Sequence, residues 1–178
     1  MKSLVKIGEP AVQALISALK DEGVQVRFSA VEALKEIGDL RAIPALIETL
    51  RDENATVQDQ AVNALVGLGE VTVSSLISAL KGDDLAIRMG AARALVKLGE
   101  PAVPALIETL KDADLTARDN SARVLVEIGE TAIDSLISAL KDDNLNVRAR
   151  AAEILGDLGY KRALEPLKQL LYDKDEYV

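Results

Sequence analysis

The sequence predicts an all-α superhelical solenoid of about five full helical hairpins, with partial units at both ends. Two observations predict it: the apolar residues are small and aliphatic, and one motif returns about every 30 residues along the chain. Hydrophobic residues make up 49% of the 178 residues, whereas aromatic residues make up only 2%. Small aliphatic side chains suit close packing between helices, whereas a β-sandwich core usually contains more aromatic residues.

The repeat is visible in two independent marks. The segment LISALK returns, exactly or with small changes, from Leu15, Leu46, Leu76, Leu106 and Leu136. An aliphatic residue followed by glycine keeps the same interval, with the glycines at Gly8, Gly38, Gly69, Gly99, Gly129 and Gly159. A constant period is the signature of a repeat architecture. We therefore expect one domain, residues 1–178, with full units at 9–38, 39–69, 70–99, 100–129 and 130–159 and partial units at 1–8 and 160–178.

Each unit is predicted to form two helices. In the fourth full unit, the first helix is predicted over Pro101–Lys111 and the second over Leu115–Ile128. Asp114 suits the N-cap of the second helix, and Gly129 suits the left-handed position after its end. Pro104 is expected to cost some stability, because it falls where the first intrahelical hydrogen bond would form. One hairpin cannot bury its apolar stripe alone, so neighbouring hairpins must stack.

Three kinds of segment carry a family resemblance: Gly-Asp-Leu-Arg-Ala-Ile-Pro at 38–44, the related stretch at 159–166, and the aliphatic–Arg pairs at 26–27, 87–88 and 147–148. Through them the chain resembles HEAT-repeat proteins, most of all the short-unit branch called phycobilisome-lyase-like HEAT repeats. The resemblance covers essentially all 178 residues. It implies an α-solenoid fold but no single function, because such proteins include scaffolds, chaperone-like factors and a few enzymes.

An Asp/Arg pattern recurs before and within the second helices. Its members are Asp21, Arg27, Arg88, Asp112, Arg118, Asp142 and Arg148. The resemblance implies a structural ladder that ties each loop to its own or the next unit, and the alternative is binding of phosphates or carboxylates. Gln58 replaces the arginine and Gly82 the aspartate in two adjoining units. We therefore expect the middle of the array to be the least tightly tied part.

The outward face of the second helices lines the concave side in the proteins that this chain resembles. Here residues vary from unit to unit, and we expect a partner-binding strip formed by Val66, Met89, Arg93, Val96, Arg123 and Val126. An apolar strip flanked by arginines suits a helix or an extended peptide with acidic residues. The alternative is that the valines are half-buried between units and the arginines are only solvated.

Composition excludes several kinds of site. The chain has no His and no Cys, which excludes the usual catalytic triads, zinc sites and the di-iron site of HEAT-like hydroxylases. The glycines are not spaced as a phosphate-binding loop. A net charge of −8 argues against nucleic-acid binding. No continuous apolar run approaches the length of a membrane span. We expect no cofactor, no metal, no nucleic acid, no membrane partner and a cytoplasmic location.

The sequence therefore predicts a non-catalytic scaffold or adaptor that binds another protein or peptide. The alternative is a chaperone-like or lyase-type accessory factor for a cofactor- or pigment-bearing protein. Residues 4–8 match the end of a second helix, such as residues 95–99. This match favours either a piece of a longer protein or end-to-end self-association.

Overall fold

A computed structural model describes residues 9–170, and every regular element in that range is helical. The predicted partial unit 1–8 and residues 171–178 of the last unit lie outside the described residues. The chain divides into two compact units, Met1–Leu95 and Val96–Val178.

The first unit contains helical hairpins that follow the repeat. Their first helices are α1 (Glu9–Ala18), α3 (Ile43–Thr49) and α5 (Val73–Leu80). Their second helices are α2 (Val24–Ile37), α4 (Ala55–Leu68) and α6 (Leu85–Leu98). The last three residues of α6, 96–98, belong to the second unit. Short 3₁₀ turns at Leu40–Ala42 and Gly69–Thr72 lead from one hairpin to the next. Within this unit α2 packs on both α1 and α4, and α3 packs on α4.

The second unit repeats the arrangement. Its first helices are α7 (Val103–Thr109), α9 (Ile133–Ala139) and α11 (Leu164–Gln169), and its second helices are α8 (Leu115–Ile128) and α10 (Leu145–Leu158). The 3₁₀ turns are Glu100–Ala102, Gly129–Ala132 and Lys161–Ala163. Here α7 packs on α8, α9 on α10, and α8 on α10. The predicted all-α fold of stacked hairpins is confirmed for the described residues.

The first helices are shorter than the sequence predicts. The expected helix Pro101–Lys111 is divided into the 3₁₀ turn Glu100–Ala102 and α7, which ends at Thr109. Pro104 consequently lies within the first two residues of α7, where its missing N–H has no intrahelical acceptor to lose. The expected cost of Pro104 was therefore wrong. The second helix, by contrast, spans the predicted residues, and the Asp114 side chain accepts a hydrogen bond from the Thr116 N–H.

A repeated pair of leucines forms the core of the hairpins. In every first helix but α11, the helix or the turn after it buries two leucines four residues apart; the pairs are Leu15/Leu19, Leu46/Leu50, Leu76/Leu80, Leu106/Leu110 and Leu136/Leu140. The second helices contribute small residues at matching positions, such as Ala61 and Ala64, which are fully buried. A fully buried leucine stabilises the fold by roughly 1.5–3 kcal/mol. The small residues that face these leucines let the helices approach closely, so that the leucine side chains are buried.

One stretch, Ala55–Leu80, meets the length and composition criteria of a membrane-spanning helix. In the structure this stretch is two helices, α4 and α5, joined by a 3₁₀ turn that begins at Gly69. The φ angle of Gly69 is 78°, so the helical backbone does not continue through it. The 14 residues of α4 span about 21 Å, which is less than the hydrocarbon thickness of about 30 Å.

The glycines that end the second helices adopt two different backbone conformations. Gly38 follows α2 with φ 73° and ψ 18°, which is the left-handed helical region. Gly129 follows α8 with φ 71° and ψ −129°, so the predicted left-handed helical conformation is wrong at this position. The 3₁₀ turn begins at Gly129 itself, whereas after Gly38 it begins only at Leu40. Asn tolerates the first conformation, whereas the second is essentially restricted to glycine.

The two glycines give a matched pair of substitutions. A Cβ at either position would meet no atom within 4 Å, so the backbone conformation alone distinguishes them. We expect Gly129→Asn to lower the free energy of unfolding by about 1–2 kcal/mol more than Gly38→Asn does. Urea unfolding followed by circular dichroism measures both values. Equal losses would contradict the assignment of two backbone conformations.

Candidate functional site

Arg27 joins the loop before its own helix to the loop of the next hairpin. Its Nη1 donates to the carbonyl oxygens of Asp21 and Glu22, at 2.9 and 3.1 Å. Its Nε and Nη2 donate to the two carboxylate oxygens of Asp52, at 2.7 and 2.9 Å. Both side chains are only 7% exposed. This arrangement links two hairpins of the first unit by a bidentate, largely buried ion pair.

The other arginines of the predicted ladder bind the carbonyl oxygens of their own loops. Arg88 donates to Gly82 and Asp83, Arg118 to Asp112 and Ala113, and Arg148 to Asp142 and Asp143, all within 3.2 Å. The repeated aspartates use their side chains differently. Asp112 and Asp142 each accept a hydrogen bond from the backbone N–H two residues later. The arginine and the aspartate together fix the loop that starts each second helix.

At Gln58 and Gly82 the chain lacks the side chains that would form the equivalent of the Arg27–Asp52 contact between two loops. Gln58 donates to the carbonyl oxygen of Asp52 at 2.6 Å, as the arginines do within their own loops. Its neutral amide carries no charge for a carboxylate in the next loop, and Gly82 has no side chain to supply one. A longer ion pair, 3.6 Å between Arg51 and Asp84, spans the same two loops with more exposed side chains. Surface pairs of this kind contribute little stability.

Asp52 is held in its charged form by the inter-loop contact. Burial by itself would raise the pKa of Asp52, but hydrogen bonds from Arg27 and from the Asn54 N–H outweigh it and lower the pKa below its usual 3.8. The pKa of Arg27 is raised, chiefly by its hydrogen bond to Asp52. The contact is consequently strongest when both groups are ionised.

The predicted strip falls on both compact units. In the first unit Val66 is half-buried and Met89 is 59% exposed. Arg93, on α6, forms an ion pair with Asp59 on α4. Arg93 therefore links neighbouring second helices, and its charge is partly neutralised by the chain itself. In the second unit Val96 is half-buried.

Arg123 and Val126 line a groove of about 580 Å³ between α8 and α10. Its floor is apolar: Ile154 is buried, and Ala122 and Val126 are half-buried. The predicted valine and arginine are thus brought together here with residues that the sequence reasoning missed. The missed charged residues that line the groove are Asp119, Glu127, Arg150, Glu153 and Asp157.

The charges along this groove are unevenly distributed. Arg150 on α10 forms ion pairs with Asp119 at 2.5 Å and with Glu153 at 2.7 Å, so it is matched by two carboxylates. Glu127 and Asp157 lie in the last turns of α8 and α10, and both are exposed. The lining contains four carboxylates against two guanidinium groups. An acidic partner segment, which the sequence favoured, therefore does not match the charge of this groove.

A signal for the missed residues exists in the sequence. Two residues before the repeat glycines from Gly38 to Gly159 the chain carries Glu36, Gly67, Lys97, Glu127 and Asp157. Acidic residues near a helix C-terminus oppose the helix dipole. Glu127 and Asp157 occupy this position in successive hairpins, so they mark the end of the groove between α8 and α10. Within residues 9–170, no cluster of three or more potential ligand side chains is arranged to hold a metal ion.

Comparison with protein families gives a match to HEAT repeats over residues 1–66, 43–118 and 103–178, which together span the chain. A comparison with curated proteins finds no match.

Solved structures of repeat proteins resemble the chain at low TM-scores. The CpcE–CpcF complex of phycocyanin lyase from Nostoc sp. PCC7120 is 27% identical over 93% of this chain and 70% of that chain, with a TM-score of 0.43. Human deoxyhypusine hydroxylase is 23% identical over 98% and 83%, with a TM-score of 0.41. A designed armadillo repeat protein in complex with the peptide (KR)4 is 18% identical over 93% of both chains, with a TM-score of 0.37. These scores carry no argument about function, and the accessory-factor alternative stays a prediction.

The missing inter-loop contact can be built by substitution. Gln58→Arg supplies the donor and Gly82→Asp the acceptor, and a Cβ at Gly82 meets only the Ala79 carbonyl oxygen at 3.4 Å. We expect the double variant to be about 1 kcal/mol more stable than the two single changes together predict. A double-mutant cycle by urea unfolding measures this coupling. A coupling near zero would show that the Arg27–Asp52 geometry does not transfer to these loops.

The low pKa of Asp52 makes part of the stability depend on pH. A carboxyl group whose pKa is lower in the folded state contributes stability above pH 3.8 and loses it as pH falls through the folded-state pKa. We expect Asp52→Asn to cost roughly 1–3 kcal/mol at neutral pH, because Arg27 loses its buried charged partner and keeps only the exposed Glu53. The cost should shrink as pH falls below about 4.

Unfolding in urea at a series of pH values measures this effect. Asp83→Asn, at an exposed loop residue, is the matched control and should show no such dependence. A cost for Asp52→Asn that stays constant down to the lowest pH at which the chain folds would contradict the role of the ionised pair.

Proposed function

Because this chain belongs to the HEAT-repeat family, we propose that it is a non-catalytic scaffold that binds a segment of another protein on the outward faces of its second helices. The HEAT-repeat fold is typical of protein-interaction scaffolds and is generally non-catalytic.

The groove between α8 and α10 is the observation that carries the proposal. It combines an apolar floor of Ala122, Val126 and Ile154 with charged walls, which is the composition of a surface that binds peptides. Its volume of about 580 Å³ suits several side chains. Val126 recurs as Val66 and Val96, whereas the charged residues that line the groove vary from unit to unit, so the charges are not required for stacking.

The first unit contributes a second exposed feature. Met89 is 59% exposed on α6, and methionine adapts its shape to apolar partners. Arg93 is already paired with Asp59, so we assign it to positioning the neighbouring helices. Val66 and Val96 are half-buried, and we assign them a smaller share of any contact with a partner.

Site-specific photo-crosslinking in the source cells tests the proposal. A photoreactive residue at position 126 should crosslink to a defined protein, and one at position 89 should test the exposed methionine. Matched controls are positions 138 and 78, where exposed serines lie on the first helices of the same two units. We expect crosslinks at position 126 that are at least about tenfold stronger than those at position 138. A partner that is bound on the second helices does not contact the first helices.

The result also identifies the partner by mass spectrometry. Competition by excess unlabelled chain should remove the crosslink, whereas excess Val126→Glu chain should not. Equal crosslinking at positions 126 and 138, or none at 126, would contradict binding on the second-helix face.

A further inference from the structure

The last turns of α8 and α10 both lack the positive charge that a helix C-terminus favours. Glu127 and Asp157 lie there instead, and neither helix has a basic residue in its last turn. In α2 the last turn contains Lys35 together with Glu36, and in α6 it contains Lys97. Carboxylates at this end interact unfavourably with the helix dipole. The groove end formed by Glu127 and Asp157 therefore has two carboxylates against the single guanidinium of Arg123, one turn away.

The equivalent place in the first unit is filled by a cation of the chain itself. Lys35 on α2 and Val126 on α8 each stand three residues before their repeat glycine, and Gly67 on α4 and Asp157 on α10 each stand two residues before theirs. Lys35 lies across α4, with its Cε only 3.2 Å from the point where a Cβ of Gly67 would stand. In the first unit the alkyl stem of Lys35 thus covers the end of the neighbouring helix.

We propose, on the basis of the binding face assigned above, that the groove between α8 and α10 takes a basic partner segment in which a lysine or arginine follows an apolar side chain. The cationic group lies between Glu127 and Asp157, and its alkyl stem and the apolar neighbour cover Val126 and Ile154. The partner thereby supplies what Lys35 supplies in the first unit.

The remaining groups of the groove fit this occupant. Arg150 is matched by Asp119 and Glu153, so it presents little net charge. Arg123 is exposed one turn from Glu127, where it fixes the direction of the segment by repelling a second cation. From residue 119 to residue 127 the lining extends about 12 Å along α8, which an extended segment of about four residues covers.

Fluorescence anisotropy with a labelled hexapeptide of alternating leucine and lysine tests the proposal on the full chain. The same peptide with glutamate or glutamine in place of lysine gives the comparison. We expect the lysine peptide to bind tightest, and Glu127→Gln with Asp157→Asn to weaken it roughly three- to tenfold at about 0.15 M salt. The control variant Glu100→Gln with Asp143→Asn removes two exposed carboxylates outside the groove and should change binding less than about twofold.

A second variant reproduces the first-unit arrangement. Val126→Lys places the chain's own cation at the position equivalent to Lys35, so it should abolish binding of the lysine peptide while it preserves helicity. The proposal is overturned if the lysine peptide binds no tighter than the glutamate peptide, or if both charge-removing variants weaken it equally. Failure of the peptide test with successful crosslinking at position 126 removes only the basic-segment proposal, whereas failure of the crosslinking removes the binding face as well.

Discussion

Each hairpin leaves one side of its second helix uncovered, and only the neighbouring hairpin can cover it. The buried leucine pairs and small facing residues meet this constraint with contacts that are strong but non-directional. Stability is then a sum of hairpin terms and nearest-neighbour terms, as in other repeat proteins. A side chain that faces neither its own hairpin nor the next one is free to vary without loss of the stack. The exposed groove residues Arg123, Glu127 and Asp157 are of this kind.

Directional contacts fix what the leucines leave undetermined. The bidentate contact from Arg27 to Asp52 sets the position of one loop relative to the next, and the carbonyl contacts of Arg88 and Arg148 hold the starts of α6 and α10. The pair is nearly buried, so removal of Asp52 leaves Arg27 with only the exposed carboxylate of Glu53, at 3.0 Å, as a charged partner. Where Gln58 and Gly82 stand, the same two-loop contact depends on the more exposed pair of Arg51 and Asp84.

The repeat period allowed the fold and the second helices to be predicted, because both depend on local residue types that recur. The first helices were predicted too long, because a 3₁₀ turn and an α-helix accept the same residues, including proline, in their first positions. The conformation of Gly129 depends on where the next turn begins, which residue type alone does not determine. In the site, the sequence indicated Val126 and Arg123 but not the four carboxylates that also line the groove, and these do not favour the acidic partner that it predicted. Ion pairs between helices, such as Arg93–Asp59 and Arg150–Asp119, arise from side chains 34 and 31 residues apart and change which charges are available.

The charges in the last turns of the second helices connect the stacked fold to binding. A helix of 14 residues gains from a cation in its last turn, and α2 and α6 have one. Acidic residues at the ends of α8 and α10 forgo that gain, and nothing in the packing of the hairpins requires them, because both are exposed. The preference for a cation in the last turn is broken at equivalent positions of two neighbouring helices, α8 and α10, beside an apolar groove. Such a departure is typical of a functional surface rather than of the framework. The lost stability is small enough for the leucine core to sustain, and a cation from the proposed basic segment would restore it on binding.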